Sequence, residues 1–456
     1  MKKVFDKSCH VVVFGAVLGF HFSAHASELG APFRAGEVVV AALPEELSGE
    51  TLIRHYPNAG LSVIRADKGK ELDKIKQQQS KGRKAGKNFV AEHFVHSTND
   101  PLASYQWHFD NVQADTAWTI SAGANVIVAV LDTGLAESND DGIGCTDAPR
   151  DIVNNDGLPL DGNGHGTHVA GTIAQRTNNS IGVSGLAYES CIMPVKVLND
   201  SGSGSFADIA EGIYWAVNNG AKVINMSLGV NARYGITNDS VMDPALDYAA
   251  TNEVVVVAAA GNDGSRKNVS YPAIYPSVIA VGATDYNNGL ASYSNRGQGL
   301  DIVAPGGDTR VDANNDGYAD GVLQETTIDN VTGYYFFQGT SMAAPHVSAI
   351  AAMLFASGKT YQGVIEAMQA SALDLGSRGY DSSFGHGLVQ AYSALQWVPG
   401  NDDGVNPICT DIDGDGYCLE VDDCDDENAQ VNPSRNEKGP RRNDGLDNNC
   451  NGIIDG

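Results

Sequence analysis

The body of this 456-residue chain is predicted to be an α/β fold in three layers, with a mostly parallel central sheet covered by helices on both faces. Three observations predict it. Between Asp100 and Trp397, short apolar runs alternate with helical patterns. The runs are bounded by glycine and apolar throughout, as in strands buried on both faces. Composition changes sharply on either side of this stretch, so a small α+β unit is expected before it and a Cys- and Asp-rich tail after it.

The elements follow in chain order. Residues 1–26 read as an export signal: Lys2, Lys3 and Lys7, then the apolar stretch Val11–Phe20, then Ala24-His25-Ala26. Residues 27–98 carry 11 of the 29 basic residues and no cysteine. Strands are expected there at Glu37–Leu43, Leu61–Ala66 and Phe89–Val95, helices at Glu45–His55 and Gly69–Gln79, and a basic loop at Lys81–Lys87. The body, residues 99–398, is expected to hold strands at Asn125–Leu131, Cys191–Leu198, Lys222–Leu228, Glu253–Ala260, Ser277–Ala283 and Leu300–Ala304. Helical patterns lie between them at Gly166–Gln175, Phe206–Asn218 and Asp243–Asn252. In such sheets functional groups gather at the carboxyl ends of strands. The tail, 399–456, has 15 acidic and 4 basic residues and four cysteines. It lacks apolar periodicity, so disulfides or cations must hold it.

Apolar residues make up 42% and charged residues 19%, enough for a large core. The formal charge of −27 argues against nucleic acid and anionic membrane as partners, since both select basic faces. No apolar run of about 20 residues follows the N-terminus, so no membrane span is expected, and the chain is expected to act as a monomer. Six cysteines remain once Cys9 leaves with the signal. An even number in an exported chain points to disulfides, with Cys145 expected to pair with Cys191 and the tail connectivity left open.

Three segments carry chemistry. Asp132 follows a buried strand in Val130–Gly134. His165 opens a helix in Gly164–His168. Ser341 opens the long helix to Ser357 in Gly339–Pro345, where Pro345 is read as a first-turn residue. Singly, these are a turn aspartate, a structural histidine and an N-cap serine. Together they are an acid, a base and a hydroxyl at element ends. A serine needs an imidazole to take its proton, and the imidazole needs a carboxylate to fix its tautomer. The helix N-terminus at Ser341 also aims a free N–H at a developing oxyanion. His168, one turn further, is expected to pack or hydrogen-bond beneath the site.

The stretches VAVLDTG, GNGHGTHVAGTIA, NMSLG, VVVVAAAGNDG, YPAIYPSVIAVGA and GTSMAAPHVSA resemble those of the subtilisin family of serine endopeptidases, from about Asp100 to Trp397. The resemblance implies a subtilisin-like three-layer fold with Asp132, His165 and Ser341 as the triad and Asn262 as an oxyanion donor. It implies that Gly202, Ser203 and Gly204 and the segment Ser227, Leu228 and Gly229 flank an extended peptide, with Ser270 near the pocket floor. It further implies that residues 27–98 are a propeptide that aids folding and inhibits the enzyme until cleaved between Ala91 and Asn99.

Ca²⁺ is implied in more than one place. Thr177–Val183 resembles the calcium loop of subtilisins, which would make Asn179 and the carbonyls of Thr177, Ile181 and Val183 ligands, joined by Asp141 and Asp100. Asp312, Asn314 and Asp316 have the spacing and following glycine of an EF-hand loop, but Leu323 stands at the twelfth position. Asp411, Asp413 and Asp415 repeat that start in the tail, which resembles the Cys- and Asp-rich metal-binding motif of some secreted bacterial proteins. The expected activity is that of a secreted, calcium-dependent serine endopeptidase made as a zymogen and acting on proteins and peptides. The competing readings are a catalytically degenerate relative used as a calcium-dependent binding module, and an esterase. An esterase would show a Gly-x-Ser-x-Gly elbow, which is missing around Ser341.

Overall fold

The computed structural model describes residues 2–3, 33–89, 98–137, 141–329 and 331–398. Seven parallel strands form the main sheet, in the order Ile302–Pro305, Val278–Thr284, Val255–Ala259, Val223–Met226, Ile127–Asp132, Cys191–Lys196 and Arg150–Asp151. Nearly every residue in them is buried, as the continuous apolar runs require of strands covered on both faces. Helices His165–Ala174 and Thr340–Ala356 share one core with one face of the sheet. Phe206–Asn218 and Met242–Thr251 share a second core with the other face. The predicted three-layer architecture is therefore present.

Strand Ile127–Asp132 lies between Cys191–Lys196 and Val223–Met226. The chain leaves it first to one side and later to the other, which opens a crevice at its carboxyl end. An antiparallel hairpin, Val322–Ile328 with Val331–Phe337, stands apart from the main sheet, and Lys2–Lys3 pair beside Tyr335–Phe336. The expected Cys145–Cys191 disulfide is formed. The tail cysteines lie outside the described residues.

Residues 33–89 make a unit with its own small core around Val38, Val40, Ile64 and Ile75. Its antiparallel sheet runs in the order Leu52–Tyr56, Leu61–Arg65, Phe33–Val40, Ala85–Phe89, with helix Glu71–Ser80 beside it. Two expectations fail here. The helix expected at Glu45–His55 is a single 3₁₀ turn, Pro44–Glu46, and then a strand from Leu52. Ser48-Gly49 breaks the helical run, and the later residues pair with Leu61–Ile64 instead. The basic loop expected at Lys81–Lys87 becomes a strand from Ala85, because its backbone completes the ladder beside Val38–Val40. The strand expected at Phe89–Val95 lies largely outside the described residues.

Pro345 lies in the second turn of helix Thr340–Ala356, not in the first as expected. Proline cannot donate to the Ser341 carbonyl four residues earlier. The Ser227 hydroxyl donates to that carbonyl instead, at 2.8 Å, so the helix keeps its turn with no orphaned acceptor.

Three fully buried imidazoles tie helices to one another and, through His168, to the hairpin. His346 Nδ1 bonds the Met342 carbonyl at 2.8 Å, and His346 Nε2 bonds His108 Nδ1 at 2.8 Å. His168 Nε2 contacts the carbonyls of Val322 and Tyr335, and its ring stacks on Phe337. Burial depresses all three, His168 to about 3, His346 to about 4 and His108 well below the usual range. An unfolded imidazole titrates near 6.5. The stabilisation is therefore present above about pH 6.5 and is lost as pH falls toward the folded values, for His168 and His346 at about 2 kcal/mol per ring by pH 5. In imidazole NMR of the Ser341→Ala protein, His168 and His346 should remain neutral down to pH 5. A titration of either near 6.5 would contradict this packing.

Candidate active site

Asp132 ends the central strand and is fully buried. Its Oδ1 accepts from His165 Nδ1 at 2.8 Å and from the Thr133 N–H at 2.7 Å. His165 is the first residue of helix His165–Ala174. That helix can approach the strand only through glycine: a Cβ at Gly166 would stand 2.4 Å from the Gly134 carbonyl oxygen. Asp161 fixes the turn before it. One carboxylate oxygen accepts the N–H groups of Asn163 and Gly164, and the other accepts the N–H and hydroxyl of Thr167. Buried Lys196 braces the turn after Asp132, reaching the Thr133 carbonyl at 2.5 Å and Asp200 at 2.7 Å.

The electrostatics of His165 balance two opposed effects. Burial alone would lower its pKa. The Asp132 charge and hydrogen bond outweigh burial, with Asp161 adding to them, and hold the imidazole above its ordinary value.

Ser341 is the second residue of its helix. Its Oγ donates to the Ser227 carbonyl at 3.3 Å, and among the described residues no hydrogen bond joins it to His165. A change of Ser341 χ1 releases this weak contact, and catalytic hydrogen bonds commonly tighten only with substrate in place. Asn262 Oδ1 accepts from the N–H and hydroxyl of Thr340 at 2.9 and 3.0 Å. That fixes which end of the amide is held, and leaves its NH₂ to the cleft that Asn262 lines with Ser341 and Ser270.

Two adjoining clefts, of about 410 and 230 Å³, share Leu228 and Gly229. His165, Gly202, Ser203, Gly204 and Ser227 line the larger, and Ser270, Asn262 and Ser341 the smaller. The sequence-predicted catalytic and peptide-flanking residues are thus brought to one place. Ser270 is buried, its hydroxyl 3.2 Å from Asn295 Nδ2.

The 177–183 loop expected to take a cation packs against two buried carboxylates. Asp100 accepts the N–H groups of Asn178 and Asn179 and the Ser184 hydroxyl. Asp141 accepts from Asn179 Nδ2 and from the Val183 N–H. Both carboxylates are buried, at 4% and 1% exposure, and burial pushes Asp141 up to about 6. Two buried carboxylates against a loop that offers Asn179 and the carbonyls of Thr177, Ile181 and Val183 form an all-oxygen donor set, which fits a hard cation. Asp312, Asn314 and Asp316 lie on a separate turn after strand Ile302–Pro305. Asp411, Asp413 and Asp415 lie outside the described residues.

Sequence reasoning missed Asp161, Thr340 and Lys196. Only Asp161 had a readable signal, an aspartate capping the Gly-Asn-Gly turn before His165. The other two act through long-range contacts.

Comparison with known proteins agrees with this geometry. The profile of the Subtilase family matches residues 123–387. That of the Cu-binding MopE metal-binding motif matches residues 423–456, in line with the resemblance seen in the tail. Thermitase of Thermoactinomyces vulgaris is 37% identical over 303 residues, 66% of this chain and 100% of its own length. Subtilisin Savinase of Lederbergia lenta is 41% identical over 296 residues, 64% of this chain and 99% of its own. A solved protease structure from Pseudoalteromonas arctica aligns with a TM-score of 0.58 and 33% identity, over 66% of this chain and 98% of that one. With an aspartate at the carboxyl end of an interior strand and a histidine and a serine at helix starts lining adjoining clefts, all inside the matched segment, this chain belongs to the subtilase family and is a subtilisin-type serine protease.

Proposed function

We propose that Ser341 is the nucleophile, His165 the general base, Asp132 its orienting carboxylate, and Asn262 with the Ser341 N–H the oxyanion donors. Ser341 Oγ attacks the peptide carbonyl carbon while His165 Nε2 takes the hydroxyl proton. The C–N bond breaks as His165 returns that proton to the leaving amine. Water then hydrolyses the acyl-enzyme by the same proton route. Asp132 stays ionised throughout and stabilises the imidazolium. The substrate chain lies extended between Gly202–Gly204 and Ser227–Gly229, with its side chain before the scissile bond directed toward Ser270. The observation that carries this reading is the 2.8 Å His165–Asp132 pair beside the cleft that holds both Ser341 and Asn262.

The same reading takes residues 1–26 as an export signal, 27–98 as an inhibitory propeptide removed between Ala91 and Asn99, and 399–456 as a metal-binding tail. The opposite charge of the 27–98 segment supports the propeptide role, and no described helix is long and apolar enough to cross a membrane. Calcium at Asp100, Asp141 and the 177–183 loop takes no part in bond breaking. Bound there, it offsets the buried carboxylate charge.

A fluorophosphonate probe tests the assignment. One equivalent should be incorporated, with the adduct on Ser341 by peptide mass spectrometry and casein hydrolysis lost in parallel. Full labelling at another serine, or protein that digests casein yet takes no label, would sink it.

A further inference from the structure

The turn that carries Asp312, Asn314 and Asp316 ends in a residue the EF-hand comparison leaves out. Asp320 stands at the ninth position of the same spacing, after Tyr318 at the seventh. It is 2% exposed, and its Oδ1 is buried with no hydrogen-bond partner. Its Oδ2 accepts the Ala313 N–H at 2.6 Å, which sets the carboxylate against the start of the loop. A buried, unpaired carboxylate oxygen is costly. The nearby cation does not relieve it, because Arg310 is engaged with both oxygens of Asp308.

We propose that Asp312, Asn314, Asp316 and Asp320 bind one calcium ion, with Asp320 supplying the buried anchor in place of the glutamate missing at Leu323. This rests on calcium as the chain's cation, but the site is separate from the one at Asp100 and Asp141. In the present conformation the carboxylates are held short of convergence: Asp312 accepts the N–H groups of Asp316 and Gly317, and no trio of acidic, His or Cys side chains among the described residues meets at a point. An ion draws them in and gives Asp320 Oδ1 its partner. The loop is tied to the catalytic helix. Asp320 and Asp308 form a bridge, Thr309 bonds Gln338, and the Gly339 N–H donates to the Gly306 carbonyl at 3.0 Å. Occupancy therefore stiffens the segment that immediately precedes Ser341.

Equilibrium dialysis with ⁴⁵Ca²⁺, on the full chain carrying Ser341→Ala to prevent autolysis, tests the proposal. Asp320→Asn should lose one equivalent of calcium relative to this parent, as should the exposed pair Asp312→Asn/Asp316→Asn. All three substitutions together should still lose one, since they remove one site. If the exposed pair loses an equivalent and Asp320→Asn does not, Asp320 is no ligand and the proposal fails. If neither loses one while Asp141→Asn does, the loop is no site and only the calcium reading at Asp100 and Asp141 survives. If the parent binds none, the calcium reading itself falls. Should Asp320→Asn fail to fold, the exposed pair decides.

Discussion

Replacing Ser341 with alanine is expected to lower kcat by roughly a millionfold, the scale seen when the corresponding serine of a subtilisin is removed. The loss should fall on kcat, with KM nearly unchanged. The peptide would still lie along Gly202–Gly204 and Ser227–Gly229, which the substitution leaves in place. Stability should barely change either. The hydroxyl makes one 3.3 Å bond, to the Ser227 carbonyl, and the helix is kept by the Ser341 backbone carbonyl, which the variant retains. The check is single-turnover hydrolysis of a p-nitroanilide peptide together with the melting temperature. Retained turnover at even a hundredth of the parent would remove Ser341 from the mechanism.

Asp132→Asn should cost roughly ten-thousandfold in kcat, and it should move the pH profile as well. His165 must be neutral to act as base. Its pKa is held above the ordinary imidazole value because Asp132 outweighs the burial that pulls it down. In the parent, kcat/KM therefore rises with pH through a limb displaced to the alkaline side of the ordinary imidazole value. Take the charge from residue 132 and burial dominates, so the limb should shift to lower pH while the plateau falls. The asparagine amide would also offer an N–H where the carboxylate accepted one, favouring the wrong tautomer. A pH–rate profile from 5 to 10 reads both effects. A lower plateau with an unmoved limb would mean that Asp132 is structural and does not tune His165.

Much of this was legible in the chain because the relevant signals are local. Unbroken apolar runs marked the buried strands, and the helical pattern over Phe206–Asn218 matches the helix formed there. The proposed triad residues stand at element ends within long, specific motifs. Failure came where local preference lost to pairing. Leu52–Tyr56 became a strand because Leu61–Ile64 lay ready to receive it, and Ala85–Phe89 because strand Phe33–Val40 had an open edge. The hairpin from Val322 to Phe337 was overlooked because its buried polar residues, Gln324 to Thr327, break the apolar pattern by which the other strands were found.

The layered class of the fold could be read from the residues alone, as could the types and chain order of the three groups proposed to react, since periodicity and residue type are properties of short stretches. Which groups hold them emerged only once the chain was folded: Thr340 on the Asn262 carbonyl oxygen, and Ser227 on the carbonyl that Pro345 cannot satisfy. Each of these is a buried polar atom whose partner is set by where distant segments meet, and folding must supply that partner or leave the atom without one.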